Sequence, residues 1–226
     1  MATMYDFIMD LPLFRGISRE QVSGFLERTN IEIVNFEAGD AILDKEEEMN
    51  SLLFIISGKA RVTLPFHNNN IKVSYTLGTG DVIAAEFLFG IMRKVPYDCI
   101  AMEKVALLRI TKTQYISLLG QNNIYLFNFV NFLSRNCQNA LEAAREIAPL
   151  TLESWLSLVM NNCVGCQTAT DITVEFTLEE LEKALNIDSH CLISQVKGLE
   201  QRGMIRHDVN SILILAPRRN FMAGRE

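Results

Sequence analysis

Apolar and polar positions change their rhythm three times along the chain, and each rhythm predicts a different kind of structure. Near the start, Ser18-x-x-Gln21 has the form of a capping box and leads into an amphipathic stretch, which predicts a short helix. From residue 31 to 111 the texture becomes short alternating or wholly apolar runs: IEIVNF, SLLFII, KARVTL, IKVSYTL and VALLRI. Polar, glycine-bearing turns separate them, at Ala38-Gly39-Asp40, Ser57-Gly58-Lys59 and Gly78-Thr79-Gly80-Asp81, and His67-Asn68-Asn69-Asn70 reads as a hairpin tip. Many short strands at roughly even spacing predict an all-β roll, barrel or sandwich.

The second rhythm is helical. Leu126, Val130, Leu133, Cys137, Ala140, Ala144 and Ile147 recur at alternating spacings of four and three, a heptad seam on one helix over 124–148. Small residues at Ala140 and Ala144 would let two helices approach closely. Such a seam packs against the helix's own domain or forms a two-fold dimer interface; the second is favoured because the helix has few other faces to bury. Pro149 then breaks the helix and marks a hinge.

The third rhythm is short and punctuated. A helix over 151–162, a polar loop and the strand ITVEF precede FTLEELEKALNIDSHCLISQVKGLEQRGMI at 176–205. Thr177 opens a T-x-x-E capping box closed by Glu180, and Leu178, Leu181 and Leu185 make one apolar face. Asn186 suits a turn, Asp188 suits an N-cap, and Ile187, Leu192, Val196 and Leu199 give a second buried face ended by Gly203. The close, MIRHDVNSILIL, reads as two strands about a turn at 208–211. Two short helices across a tight turn are the layout that places a second helix in the DNA major groove, and the hairpin is its wing.

Composition narrows the class without naming a reaction. The chain has 226 residues, enough for one large or two modest cores, with 49% hydrophobic and 21% charged residues. No apolar run approaches the ~18 residues needed to span a bilayer. No Lys or Arg precedes Arg15, which argues against a signal peptide, so a cytoplasmic protein with no membrane partner is expected. Five cysteines scattered between Cys99 and Cys191 do not form a secreted disulfide framework. Cys163-Val-Gly-Cys166 is a lone C-x-x-C without a second pair at zinc spacing, so structural thiols are expected and no metal site. Three histidines spread from His67 to His207 suggest no catalytic constellation, and a non-enzyme is expected. Net charge is −6, and residues 149–226 carry seven Lys/Arg against ten Asp/Glu, which weighs mildly against tight DNA binding. Lys197, Arg202, Arg206, Arg218 and Arg219 are the cations able to gather on one side.

The order of β-roll, heptad helix, hinge and winged helix-turn-helix, with PLF-x-GIS at 12–18, F-x-AGD-x-I at 36–42, L-x-F-I-x-SGKARV at 53–62 and LGTGD at 77–81, resembles the Crp/Fnr family of bacterial transcription regulators. The resemblance runs from about residue 11 to 217. It implies an α+β chain: a double-stranded β-helix (β-roll or jelly-roll, cupin-like) sensor domain over 1–123, a dimerisation helix over 124–148 and a winged helix-turn-helix over 149–226. It implies a homodimer that binds a two-fold symmetric promoter site on double-stranded DNA, with RNA polymerase as a further candidate partner.

Two departures qualify what the resemblance implies. Cyclic-nucleotide-binding relatives follow LGTGD with a ribose-binding glutamate and then an Arg-Ser or Arg-Thr phosphate pair. Here VIAAEFLFGIMRKVPYDCIA offers Glu86 near the ribose position, and Tyr97-Asp98 at the phosphate pair. A carboxylate facing a cyclic phosphate at ~4 Å costs about 1–4 kcal/mol, and the bidentate arginine grip is gone. Cyclic AMP is therefore disfavoured, no cofactor is implied, and an unidentified small effector is the alternative. The candidate pocket comprises Glu86, Phe87, Arg93, Tyr97, Asp98 and, from the long helix, Asn139. Arg93 and Lys94 could partly replace the lost arginine. Phe87, Phe89, Met92 and Tyr97 fit either a small apolar ligand or a pocket that has filled itself. The lack of cysteines before Cys99 excludes the N-terminal iron–sulfur ligation of oxygen-sensing relatives.

The second departure is in the recognition helix. Where many relatives carry Arg, Glu and Arg, this chain has Ser189, His190 and Ser194. Ser189 and Ser194 suit base or phosphate, His190 either, and Lys197 phosphate. Gln195 would read adenine if it faced the groove, but its apolar counterpart in the family favours burial. Thr177 and Arg206 complete the implied DNA-facing set. Without an arginine fork for guanine, readout should lean on DNA shape. The alternative is a dimeric sensor or scaffold that acts through protein partners.

Overall fold

The computed structural model describes residues 4–28, 31–66, 71–145, 151–163 and 170–215. The chain divides into two compact units, residues 1–61 with 77–136, and residues 62–76 with 137–226.

The first unit is an antiparallel sheet system wrapped by helices. The strands β1 (Glu32–Phe36), β3 (Ser51–Ser57), β6 (Val82–Ile83) and β8 (Val105–Thr111) form a sheet of order β1-β8-β3-β6, and β2 (Ala41–Leu43) pairs with β7 (Asp98–Ala101). β3 reads SLLFII because Ser51 through Ile55 are all buried, so the run needs no polar alternation. The core gathers Phe14, Phe54 and Leu108 with Tyr115 and Leu118 of α3 (Lys112–Gln121), and with Tyr125 and Phe129 of α4 (Asn123–Arg145). Phe14 meets Phe25, Phe54 and Tyr125 at ring-centroid distances of 5.7–5.9 Å, in tilted and edge-on arrangements that suit aromatic quadrupoles. Phe25 belongs to α2 (Arg19–Arg28), whose start carries the expected box: Ser18 N–H donates to Gln21 Oε1 (3.0 Å) and Gln21 N–H to Ser18 Oγ (3.3 Å). Ahead of it α1 (Met4–Asp10) buries Ile8 in the same core. Gly58 is required at its turn: its φ is +86°, and a Cβ there would lie 2.3 Å from the Lys104 carbonyl oxygen.

The long helix has a face that heptad counting does not reveal. Tyr125 and Phe129, an i, i+4 aromatic pair, are buried in the core, and Phe132 and Leu133 pack at its margin. The seam positions Leu126 and Val130 are 41% and 46% exposed, Cys137 is exposed and Leu133 is half-buried. The side chains of Ala140 and Ala144 and the whole of Ile147 and Pro149 lie outside the described residues. So do the His67–Asn70 tip and Cys166, while Cys163 ends α5.

The second unit contains α5 (Leu152–Cys163), β9 (Thr170–Glu175), α6 (Leu178–Leu185), α7 (Ser189–Gln201), and a hairpin of β10 (Ile205–Asp208) and β11 (Ser211–Ile214). β11 pairs antiparallel with both β10 and β9, and β9 pairs with β5 (Ile71–Leu77) through Lys72↔Glu175, Val73↔Val174 and Ser74↔Thr173. β4 (Ala60–Phe66) lies beside β5, where the Thr63 and Ser74 hydroxyls share a hydrogen bond of 3.0 Å. Its core is Leu156, Val159, Leu181, Leu185, Leu192, Leu199 and Ile212, all nearly inaccessible.

Candidate functional sites

The segment after Gly78-Thr79-Gly80 is the first candidate site. Asp81, 5% exposed, accepts from Gly78 N–H at 2.8 Å and fixes the turn. Ile55 N–H donates to the Asp81 carbonyl, and Gly80 N–H returns to the Ile55 carbonyl. Ala84 then adopts a left-handed conformation (φ 54°) and starts a 3-10 turn over Ala85–Phe87. Glu86 sits in that turn. Burial, the largest influence, raises its carboxyl pKa, and a backbone hydrogen bond opposes the rise; the residue still reaches solvent, which screens the charged form.

The remaining expected pocket residues are engaged with protein. Tyr97 is 6% exposed and meets Phe87 edge-on at 6.1 Å. Asp98 accepts from the Lys45 backbone N–H at 2.8 Å. Arg93 pairs with Glu48, and the backbone zips alongside: Met49 N–H to the Arg93 carbonyl (2.9 Å), Val95 N–H to the Glu47 carbonyl (2.9 Å) and Glu46 N–H to the Val95 carbonyl (2.8 Å). Lys94 faces Glu46 at 3.8 Å. Thus Arg93 and Lys94 are both matched by carboxylates of the 46–48 turn. Phe89 packs against Phe129 at 5.4 Å under the Lys112 ammonium, 4.9 Å from its ring, and Met92 is exposed. Asn139 lies on α4, half-exposed. Beside the segment, burial pushes the Cys99 thiol up to about 12, leaving it unreactive. A cleft of about 190 Å³ elsewhere in the same unit is lined by strand residues including Phe36, Ile42, Ser51 and Arg109 and by Met49 of the loop before β3. It contains none of the residues expected from sequence.

The second candidate site is the helix–turn–helix and hairpin. Thr177 caps α6 in a reciprocal box: Glu180 N–H donates to Thr177 Oγ1 (3.4 Å) and Thr177 N–H to Glu180 Oε2 (3.1 Å). Asn186 ends α6 in the left-handed conformation (φ 52°), and Asp188 caps α7 by accepting from Cys191 N–H at 2.8 Å. The Ser189 hydroxyl is committed to Glu182 of α6. His190, Ser194 and Lys197 are exposed at i, i+4 and i+7, one face of α7, and Arg206 is exposed on β10.

Two polar residues hold the arrangement rather than face outward. Gln195 Oε1 accepts from the Leu152 N–H at 2.7 Å, satisfying a first-turn donor of α5. Arg202 donates to Glu153 from both terminal guanidinium nitrogens, at 3.3 and 2.6 Å, so this cation binds the end of α7 to α5. Arg218 and Arg219 lie outside the described residues. Glu200 accepts from both the His207 ring Nδ1 (2.8 Å) and the His207 backbone N–H (3.1 Å), which lowers its carboxyl pKa. Ile193, between His190 and Ser194, is 44% exposed, at a position that the apolar pattern of the sequence does not mark.

Among the described residues no group of three His, Cys, Asp or Glu side chains could hold a metal, and no helix is long and apolar enough to cross a membrane.

Comparison with known proteins places this geometry. The cyclic nucleotide-binding domain family matches residues 33–122. No curated protein matches the chain. Among solved structures, the Thermus thermophilus catabolite activator protein superposes with TM-score 0.52 at 18% identity, over 93% of this chain and 96% of that one. The c-di-GMP-responsive global regulator CLP of Xanthomonas campestris gives TM-score 0.51 at 12% identity, over 86% and 100%. At such identities the likeness is one of fold alone.

Proposed function

We propose that this chain, with its cyclic nucleotide-binding-type domain and Crp-like fold, is a DNA-binding transcription regulator that works without cyclic AMP. The observation that carries the reading is the two-helix head with its hairpin, whose α7 offers His190, Ser194 and Lys197 on one open face while Arg206 stands on β10. In this reading residues 149–226 are a winged helix-turn-helix, and α7 enters the major groove. Thr177 and Ser189 serve mainly to set α6 against α7, because their hydroxyls are engaged with Glu180 N–H and Glu182.

Residues 124–148 serve as the dimerisation helix, since Leu126, Val130 and Cys137 are exposed beside a face already buried in the core. A dimer of such heads reads a two-fold symmetric site with half-sites about one DNA turn (~34 Å) apart. Residues 1–123 act as the effector domain. The engagement of Tyr97, Asp98 and Arg93 with their own chain supports a pocket that has filled itself over one that awaits a cyclic phosphate.

A second reading, a dimeric scaffold acting through protein partners, is favoured by the carboxylates at the start of α7. Asp188 caps the helix and Glu182 lies against Ser189, so the positive end of the helix is partly neutralised before any phosphate arrives. A mobility-shift titration over a salt series separates the two. A regulator loses affinity steeply as salt rises, because each phosphate contact releases a counterion; a scaffold gives no salt-dependent shift.

A further inference from the structure

The recognition face of α7 carries an apolar residue where a DNA reader that lacks arginine has the most use for one. Along the helix, Leu192, Val196 and Leu199 turn inward and are buried. Ile193 does not join them: it is 44% exposed and falls at i+3 from His190 and i−4 from Lys197. It lines a cleft of about 140 Å³ with Phe176 and Leu178 on one side and His207 and Val209 of the hairpin on the other. Leu178 is 42% and Val209 83% exposed, so the cleft has an open apolar rim, and Lys197 also lines it. Leaving a branched aliphatic side chain in water on a helix surface forgoes its burial free energy, unless a ligand covers it.

B-DNA offers one apolar group in its major groove, the C5-methyl of thymine. The neighbours of Ile193 toward the start of this face, Ser194 and His190, are short or compact, and the one long side chain beside it, Lys197, lies a full turn further along the helix. We propose that Ile193 is a specificity-determining residue of this head, reading a thymine C5-methyl in each half-site by apolar contact. The inference rests on the DNA-reading function proposed above and names what that face reads. It also explains how a recognition helix without a guanine fork retains direct readout: the discriminating contact is a methyl–methyl contact, supplemented by His190 and Ser194 on the flanking positions.

The test uses the full-length protein and a DNA site recovered by selection. Each thymine of one half-site is replaced in turn by deoxyuridine, which removes the C5-methyl and leaves pairing unchanged. The wild-type protein should lose about fourfold in affinity per half-site at one thymine position, the effect of one methyl-sized apolar group. Ile193→Ala should bind the thymine site more weakly and show no further loss on uracil, because the partner of the methyl is gone. Ile193→Val, which keeps a branched aliphatic group, should fall between. Equal wild-type affinity for every uracil site, or an undiminished uracil penalty in Ile193→Ala, overturns the proposal while leaving a DNA-binding regulator in place. No salt-dependent binding to any DNA overturns the function and this inference together.

Discussion

Where the family resemblance leads one to expect arginines, the segment over 78–101 and the head over 176–214 carry other residues, and the two are built in opposite ways. In the first, the vacated chemistry is covered by protein: Tyr97 packs edge-on to Phe87, Asp98 takes the Lys45 N–H, and Arg93 is matched by Glu48. In the second, the face stays open, with His190, Ile193, Ser194 and Lys197 all exposed. The difference accords with the reading proposed above. A pocket without a ligand would hold unsatisfied groups and empty volume, both destabilising, so side chains that fill it are favourable. A convex helix face loses little when a cation goes, because water solvates whatever remains.

The largest effects should come from reopening the filled site. Tyr97→Ala removes a ring that is 6% exposed and should cost about 3 kcal/mol in urea unfolding, against less than about 0.5 kcal/mol for Ser194→Ala on the open face. Near-equal costs would erase the contrast. Next in size, restoring an arginine should help only where the face is open. Ser194→Arg should tighten DNA binding about tenfold at low salt and steepen the log–log salt slope by about one. A scaffold head would show neither change.

A smaller effect tests how apolar the filled core is. The Tyr115 hydroxyl is buried with no hydrogen-bond partner among the described residues, and burial raises its pKa. Tyr115→Phe should therefore raise stability by about 1 kcal/mol, the desolvation cost no longer borne. Loss of stability would mean that the hydroxyl has a partner. The smallest effect belongs to the head. Because His207 lowers the Glu200 carboxyl pKa below its ordinary 4.5, that pair contributes stability above about pH 4.5 and loses it as pH falls through the lowered value. Acid-unfolding curves of Glu200→Gln should accordingly flatten relative to wild type below about pH 4.5, where the protein loses the linkage that the carboxylate supplies.

Much of this is legible in the sequence where a local rule suffices. The boxes at Ser18 and Thr177, the Asp188 cap and the runs of β1, β3, β5 and β8 depend on neighbours a few residues apart, and the helices and strands form there. The inward turn of Gln195, which is partly buried, is what the family resemblance implies, though its partner, the Leu152 N–H across 43 residues, is not. Non-local partners account for most of what stays hidden. Nothing near Asp98 points to Lys45, and nothing near Arg202 points to Glu153. The Tyr125–Phe129 face of α4 is visible as an i, i+4 pair, but a seven-position seam on the same helix outweighs two aromatics. The short strands β2, β6 and β7 carry too few residues for any period to register. Ile193 is hidden for a different reason, since its exposure cannot be inferred from an apolar letter beside a buried Leu192.

The central claim is that the head reads DNA although the cyclic nucleotide-binding-type domain has closed its nucleotide site. Selection of genomic DNA fragments by the purified full-length protein, over a salt series and with and without cyclic AMP, tests it most directly. The account predicts a two-fold symmetric motif recovered without nucleotide, binding that falls steeply with salt, and no change on adding cyclic AMP. Enrichment only in the presence of cyclic AMP, or no salt-dependent enrichment at all, would contradict it.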